Sequence, residues 1–392
     1  MHGMIAASGL VLTLVAAVYA SAAWMLLRRW REAVPQGSSW RPPVTVLKPL
    51  CGAEARLDEC LRSLARQSYP DLQIVCGVRD GSDPAIAVIE RLRREFPALD
   101  LVLVIDPRVH GENLKVSNLI NMLPHARHPV LVISDSDVRV GPGYLDAVLA
   151  ALAPPEIGSV TCLYRGCAGS GLWSRLAALF INDWYFPAIL VSQALGDRSF
   201  ASGATIALRR QTLEAIGGLQ VIADHLADDW LLCERVRRLG LSTVLSRFVV
   251  QTEVADEGFA AHARRELRWM RTIRTIEPLG YAFMGLSFAL PVAVLGVLLA
   301  CASPWALGLG ILALVARVGI HLEQRRRMAA GLGYDLMLIP LRDGLLLAVW
   351  VAGFLGRGVT WRGRRYRVRS GGALSPLNVE EKPMTGHSLG RP

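Results

Sequence analysis

This chain is short of several things, and each shortage removes a class of function. Its seven cysteines (Cys51, Cys60, Cys76, Cys162, Cys167, Cys233 and Cys301) include no Cys-X-X-Cys pair. That removes zinc-ribbon spacing, and the odd count argues against a disulfide framework. We read them as reduced, mostly core thiols facing a cytosol. There is no Gly-X-Gly-X-X-Gly and no P-loop, so neither familiar glycine-rich phosphate cradle applies. Charge is scarce as well: 19% of the 392 residues are charged, against 52% hydrophobic. The formal net charge of +10 sits mostly in arginines that flank apolar runs. Interleaved basic and aromatic residues of an RNA-binding kind are absent, so we expect a membrane and no nucleic-acid partner.

What is present begins with an apolar run over residues 4–27, about the length a bilayer needs. Arg28-Arg29-Trp30-Arg31 follows it. A cleaved signal peptide would carry its charge in front, so this reads as an uncleaved anchor (residues 1–30) whose far side is cytoplasmic. Residues 31–43 form a linker containing Pro, Ser and Gly. The chain turns apolar again at residue 279. Segments 281–301 and 304–320 read as a helical hairpin through the bilayer, and Gln324-Arg325-Arg326-Arg327 returns it to the cytoplasm. Residues 335–355 are a last apolar segment, interrupted by Arg342-Asp343 and basic on its far flank. Spanning and re-entrant readings both stand for it. Residues 279–369 are thus a membrane region of two to three helices, and 370–392 a disordered tail.

Between these lies a soluble unit, residues 44–278. Strands are expected at 44–47, 72–78, 101–105 and 130–134, alternating with helices at 57–67, 84–96 and 115–122. Such alternation means an α/β, Rossmann-like fold with a mostly parallel sheet. Further strands are expected at 157–164, 199–208 and 242–250. An aromatic helix over 172–195 suits a membrane interface and an ordinary core equally.

The fourth strand, Val130-Leu131-Val132-Ile133, runs into Ser134-Asp135-Ser136-Asp137. Ligands of open α/β sheets bind at strand carboxyl ends. Carboxylates one residue apart can share a hard divalent cation that in turn holds a diphosphate. Three more features follow the same logic. Asp80 ends the second strand. Asp228-Asp229 opens a helix, where the dipole alone would also explain them. A basic helix carries Arg265-Glu266-Leu267-Arg268-Trp269.

An acidic turn, an Asp-X-Asp, an Asp pair and an Arg-X-X-Arg-Trp, in that order ahead of a membrane region, resemble the processive-type and lipid-directed GT-A glycosyltransferases. The closest likeness is to the ceramide glucosyltransferase-like family 21 (family 2-like). Within that group residues 44–279 resemble the bacterial hopanoid-biosynthesis glycosyltransferase. That likeness is carried by Lys115-Val116-Ser117-Asn118-Leu119-Ile120-Asn121, Thr161-Cys162-Leu163-Tyr164-Arg165-Gly166, Gly203-Ala204-Thr205-Ile206-Ala207-Leu208-Arg209-Arg210 and His225-Leu226-Ala227-Asp228-Asp229. The chain departs from the polymer synthases in having Arg265 where they carry glutamine, and in lacking their long set of spans.

The resemblance implies a GT-A catalytic domain in the cytoplasm, in a multi-pass protein of a bacterial inner membrane. It implies an inverting transfer from a UDP-sugar, UDP-N-acetylglucosamine first, to a lipid hydroxyl, a hopanoid polyol such as bacteriohopanetetrol first. Ceramide with UDP-glucose is the alternative. By the same resemblance Asp80, Lys115, Asn118 and Asp135 contact the nucleotide sugar, Asp135 and Asp137 meet Mg²⁺ or Mn²⁺, and Asp229 is the base. Arg265 and Arg268 bind diphosphate while Trp269 walls the acceptor pocket. For the basic helix, contact with lipid headgroups is a parallel reading. A non-catalytic membrane scaffold is the rival class, and a transporter is disfavoured by so few apolar segments. Sugar, acceptor and oligomeric state are not legible at this level.

Overall fold

A computed structural model describes residues 2–32, 40–52, 54, 56–328 and 334–377. Eight strands form one sheet: β1 (Val44–Pro49), β2 (Leu72–Val78), β3 (Asp100–Ile105), β4 (Val130–Ser134), β5 (Val138–Arg139), β6 (Ile157–Ala168), β7 (Thr205–Arg209) and β8 (Ser242–Val254). Their spatial order is β3-β2-β1-β4-β7-β6-β8-β5. The first four are parallel, while β7 runs antiparallel to both β4 and β6, so the sheet is mixed. The chain builds outward from β1 to β3 and returns to β4 on the other flank of β1. The order therefore reverses between β1 and β4, and a crevice opens at their carboxyl ends.

β1, β2 and β4 are buried along their full length, which is why they read as unbroken apolar runs. Helices Leu57–Ala65, Ala85–Glu95 and Tyr144–Leu152 pack on one face with Val46, Ile74 and Val132. Leu114–Met122 and Asp228–Arg238 pack on the other with Leu47, Val75 and Leu131. This is the expected GT-A-like arrangement.

Three strands differ from expectation. β7 starts only at Thr205, because the chain bends at Ser202-Gly203 before joining the ladder. β6 and β8 run past their expected ends as a long parallel pair with register shifts between Ile157 and Ser159 and between Cys162 and Tyr164. The aromatic helix is Leu172–Leu179 and Phe186–Ala194 joined by a π-helical turn, Phe180–Tyr185. Pro187 has no N–H to donate back into that turn, which accounts for the local widening.

Three helices among the described residues are long and apolar enough to cross a membrane: His2–Arg29, Pro304–Arg327 and Asp335–Phe354. They make this a multi-pass membrane protein. The expected span over 281–301 is instead a bent pair, Pro278–Ser287 and Ala289–Leu299, at 71°. Gly285, Ser287 and Pro291 break the helix there. The linker falls largely outside the described residues (33–39), as does the tail from 378. Residues 370–377 do carry structure. β9 (Gly358–Trp361), β10 (Arg364–Val368) and β11 (Leu374–Pro376) form a second, antiparallel sheet. Its apolar side (Val359, Tyr366, Val368 and Leu374) packs on Leu226.

Candidate active site

The crevice is organised by two lysines. Lys48, at the end of β1, is wholly buried. Its Nζ donates to Ser134 Oγ (3.3 Å), to the carbonyl of Val138 (3.0 Å) and to that of Asp135. One ammonium thereby fixes both ends of the turn carrying Asp135 and Asp137. Burial lowers its pKa, against the pull of nearby Asp137 and Asp135. Sequence reasoning passed over Lys48; the available signal was a cation closing an apolar strand.

Lys115 sits in the first turn of Leu114–Met122, which Asn113 caps by accepting from the N–H groups of Lys115 (3.0 Å) and Val116 (3.1 Å). Asn113 also donates its amide to the carbonyl of His225 (2.8 Å), and its own N–H goes to Ala223 (2.8 Å). Gly111 belongs to the same junction, since a Cβ there would lie 2.6 Å from the Ala223 carbonyl. Loop 111–113 is thus zipped to loop 223–225. The zip brings Lys115 Nζ to 2.7 Å from Asp135 Oδ1 and 3.1 Å from Asp228 Oδ2. Burial acts against its charge, but Asp135 and Asp228 outweigh it and the pKa is raised.

Both remaining carboxylates are short of positive charge. Asp137 is pushed up to about 6 by burial and by Asp135, although Thr252 Oγ1 donates to its Oδ2 at 2.7 Å. Asp229 is pushed up to about 6 by burial and by Asp228, with Lys115 and the Trp230 N–H (2.8 Å) opposing. Gly203 explains how Asp229 is approached so closely, for a Cβ there would lie 3.0 Å from Asp229 Oδ2. Beside it, Tyr164 and Tyr185 stack with ring centroids 5.0 Å apart, and the Tyr185 hydroxyl bonds Ser202 at 2.7 Å.

Helix Phe259–Ile276 has two working faces. His262, Glu266 and Met270 are buried on one. Arg265, Arg268 and Trp269 share the other by their i, i+3, i+4 spacing. The Arg268 guanidinium makes no hydrogen bond or ion pair among the described residues, and burial together with Arg265 lowers its pKa to about 10 while Asp228 and Asp229 oppose this. It is a desolvated cation beside the Asp pair. Arg265 is committed to Asp256 (2.7 Å) and lies over the Trp269 ring at 5.2 Å. Trp269 in turn packs on Phe180, centroids 5.4 Å apart, in the aromatic cluster leading to the apolar helices.

Lys115, Asp135, Asp137, Asp228, Asp229 and Arg268 are therefore gathered at one place, with Arg265 and Trp269 at its membrane-facing edge. Two expected contacts differ: Arg265, expected on the diphosphate, is taken up by Asp256, and Asn118 turns inward. Asn118 is buried, and its amide donates to the carbonyls of Gly77 (2.8 Å) and Leu50 (3.4 Å). It braces the ends of β1 and β2 and presents no surface to a ligand, because the apolar face of its helix turns it into the sheet. Asp80 is exposed and accepts from Ser82 in its own turn (2.8 Å), which lowers its pKa.

No group of three or more His, Cys, Asp or Glu is placed to hold a metal among the described residues. Asp135 Oδ2 and Asp137 Oδ1 nevertheless have no protein partner there, and the raised Asp137 marks uncompensated negative charge. That donor set fits a hard cation taking two carboxylates and completing its shell from phosphate and water.

The profile of glycosyl transferase family 21 matches residues 9–374. The chain belongs to that family of glycosyltransferases. Ceramide glucosyltransferase 1 of Caenorhabditis elegans is 24% identical over 231 residues, 59% of this chain and 49% of its own length. A ceramide glucosyltransferase of Komagataella phaffii is 34% identical over 113 residues, 28% and 22% of the two chains. The chain spans about half the length of the first of these relatives, or less. In three dimensions it is similar to a mannosyltransferase from Pyrobaculum calidifontis in complex with GDP-Man and Mn²⁺, with TM-score 0.53, 21% identity, and 90% of this chain and 99% of that one covered. That likeness is one of fold.

Proposed function

We propose that this protein is an inverting, membrane-bound glycosyltransferase that moves a sugar from a UDP-sugar to the hydroxyl of an amphiphilic lipid. One observation carries the reading: Lys115 bridges Asp135 and Asp228, so the strand-end carboxylates and the Asp pair serve one reaction centre. None of the relatives named above is a hopanoid enzyme, and their names favour a ceramide-type acceptor with UDP-glucose. The hopanoid polyol with UDP-N-acetylglucosamine, which the sequence resemblance put first, becomes the alternative to test.

In this reading Asp80 accepts from the nucleobase or ribose at the end of β2, and Lys115 and Arg268 take the diphosphate. On binding, Lys115 exchanges part of its attraction to Asp135 for phosphate. Asp135 and Asp137 would hold Mg²⁺ or Mn²⁺. When bound, the cation neutralises charge developing on the departing UDP. Arg265 keeps Trp269 in place through its stacking, and Trp269 walls the entry from the apolar helices. Asn118 contributes by holding the strand ends, not by touching the donor. The acceptor hydroxyl lies against Asp229, which takes its proton as the oxygen attacks the anomeric carbon from the face opposite UDP. The product is a β-glycoside. The positive-inside flanks favour a catalytic domain in the cytoplasm, and the resemblance a bacterial inner membrane.

The experiment is a transfer assay on membranes holding the protein. UDP-glucose and UDP-N-acetylglucosamine are each offered with ceramide and bacteriohopanetetrol, and product lipids are read by mass. Glucose on ceramide, lost roughly 10²–10⁴-fold in Asp229→Asn and on chelation, is expected. N-acetylglucosamine on the hopanoid would keep the mechanism and change the substrates. Undiminished transfer by Asp229→Asn would mean another base, and metal-independent UDP binding would sink the role of Asp135 and Asp137.

A further inference from the structure

The second sheet begins where the last apolar helix ends, and it is strongly one-sided in charge. Residues 355–377 contain Arg357, Arg362, Arg364, Arg365, Arg367 and Arg369 and no acidic residue. The sheet is held at the mouth of that helix. Arg271 donates to the carbonyls of Leu355 (2.9 Å) and Gly358, and Arg274 to those of Phe354 and Gly356 (2.5 Å each). Leu279, Phe283 and Leu355 stand exposed around the same corner, where Tyr281 packs on Phe354 at 4.9 Å.

Within β10, alternation puts Tyr366 and Val368 inside and Arg365, Arg367 and Arg369 outside. The register pairs Arg365 with Thr360, and Arg367 with Gly358 and Ser375. The arginines on the outer face therefore have only small, uncharged neighbours across the ladder. Arg357, Arg367, Arg369, Ser370 and Ser375 line an open cleft there. None of these arginines forms an ion pair among the described residues, and the single side-chain bond is from Arg369 to Ser375 Oγ (3.0 Å).

We infer that the outer face of this sheet is a docking surface for anionic lipid headgroups of the leaflet into which the last apolar helix opens. Unpaired guanidinium groups bind phosphate esters, and a basic cluster immediately beside an apolar helix and an apolar rim meets them at headgroup depth. The outer face offers no aromatic platform on which nucleic-acid bases would stack.

The inner face gives the docking a consequence. Ala373 bridges His225, Leu226 N–H donates to the Gly372 carbonyl (2.9 Å), and Leu374 N–H to that of Asp224 (2.7 Å). The loop so held leads directly into Asp228 and Asp229. A bilayer that seats the sheet steadies the loop presenting the Asp pair.

The test needs no turnover, so it stands apart from the transfer reading. Full-length protein and the triple variant Arg365→Gln/Arg367→Gln/Arg369→Gln are purified from mixed micelles of phosphatidylcholine and phosphatidylglycerol, and the retained lipid is counted by mass. Salt-sensitive enrichment of phosphatidylglycerol is expected for the wild type, falling roughly tenfold or more in the variant and restored by lysine at all three positions. In nanodiscs, phosphatidylglycerol should slow amide exchange over residues 223–229 in the wild type alone. Equal enrichment by wild type and glutamine variant would overturn the proposal. So would displacement of the lipid by inorganic phosphate at equal concentration, which would make this a free-anion site. Tighter capture of a single-stranded oligonucleotide would overturn it in favour of nucleic acid.

Discussion

Asp229 can accept a proton only when ionised, and burial together with Asp228 pushes its pKa up to about 6. Transfer under saturating substrate should therefore climb with pH through about 6 and then level, a profile that rate measurements between about pH 5 and about pH 8 would reveal. A flat profile would remove Asp229 as the base. The same shift has the opposite sign for stability. Folded Asp229 and Asp137 hold protons more tightly than their unfolded forms, whose ordinary value is 3.8. The stabilisation is full below that value and is lost as pH rises through about 6. Metal-free protein in detergent should accordingly lose melting temperature across that window, less so in Asp229→Asn.

Two short stretches of backbone decide whether that residue is well placed. Gly203 lets the bend before β7 pass against Asp229, and Gly203→Ala puts a Cβ 3.0 Å from Oδ2. We expect kcat to fall roughly tenfold or more with little change in donor KM, since the base moves while the diphosphate cations stay. Steady-state kinetics separates the two. On the other side of the crevice Lys48 ties the turn between β4 and β5 to β1. Lys48→Met leaves a hydroxyl and two carbonyls without their donor in a dry place. The expected cost is about 2–4 kcal/mol in chemical denaturation, with weaker metal-dependent UDP binding. Unchanged stability would show that water substitutes for the ammonium.

Across the whole molecule, the α/β unit and the apolar helices are joined by buried charge. Arg342, on the last apolar helix, forms a two-pronged ion pair with Glu266 (2.7 and 2.8 Å), both side chains almost fully buried, and lies 5.4 Å from the Phe180 ring centroid. Glu266 belongs to the same helix as Arg268 and Trp269, so the pair ties that helix to the last apolar helix. Glu266→Gln leaves Arg342 without its counter-charge. It should cost about 3–5 kcal/mol, read as loss of melting temperature in detergent. Replacing both residues by methionine should recover most of that stability. Activity recovering equally would show that the pair does not position Arg268.

Much of this was legible from residues alone. The uninterrupted runs of β1, β2 and β4 had to be strands buried on both faces, and the apolar stretches flanked by arginine had to meet a bilayer. Asp-X-Asp at a strand end, Asp228-Asp229 at a helix start and Arg-X-X-Arg-Trp at helical spacing could be picked out as candidate site residues, because each is a local pattern with a local physical cause. What stayed hidden depends on contacts between residues far apart in sequence. Asn118 looked like a ligand contact until the sheet was seen to take its amide, and Lys48 looked like an ordinary strand end. The 281–301 run had the composition of one span, and bends because Gly285, Ser287 and Pro291 let the two halves pack separately. Nor could composition reveal that Asn113 zips two loops together, or that the arginine-rich stretch beyond the last apolar helix folds into a small sheet against the loop leading to Asp228 and Asp229. Periodicity and hydropathy specify an element and the medium it faces. Which elements meet, and which charges are thereby desolvated and paired, is decided only when the chain closes on itself.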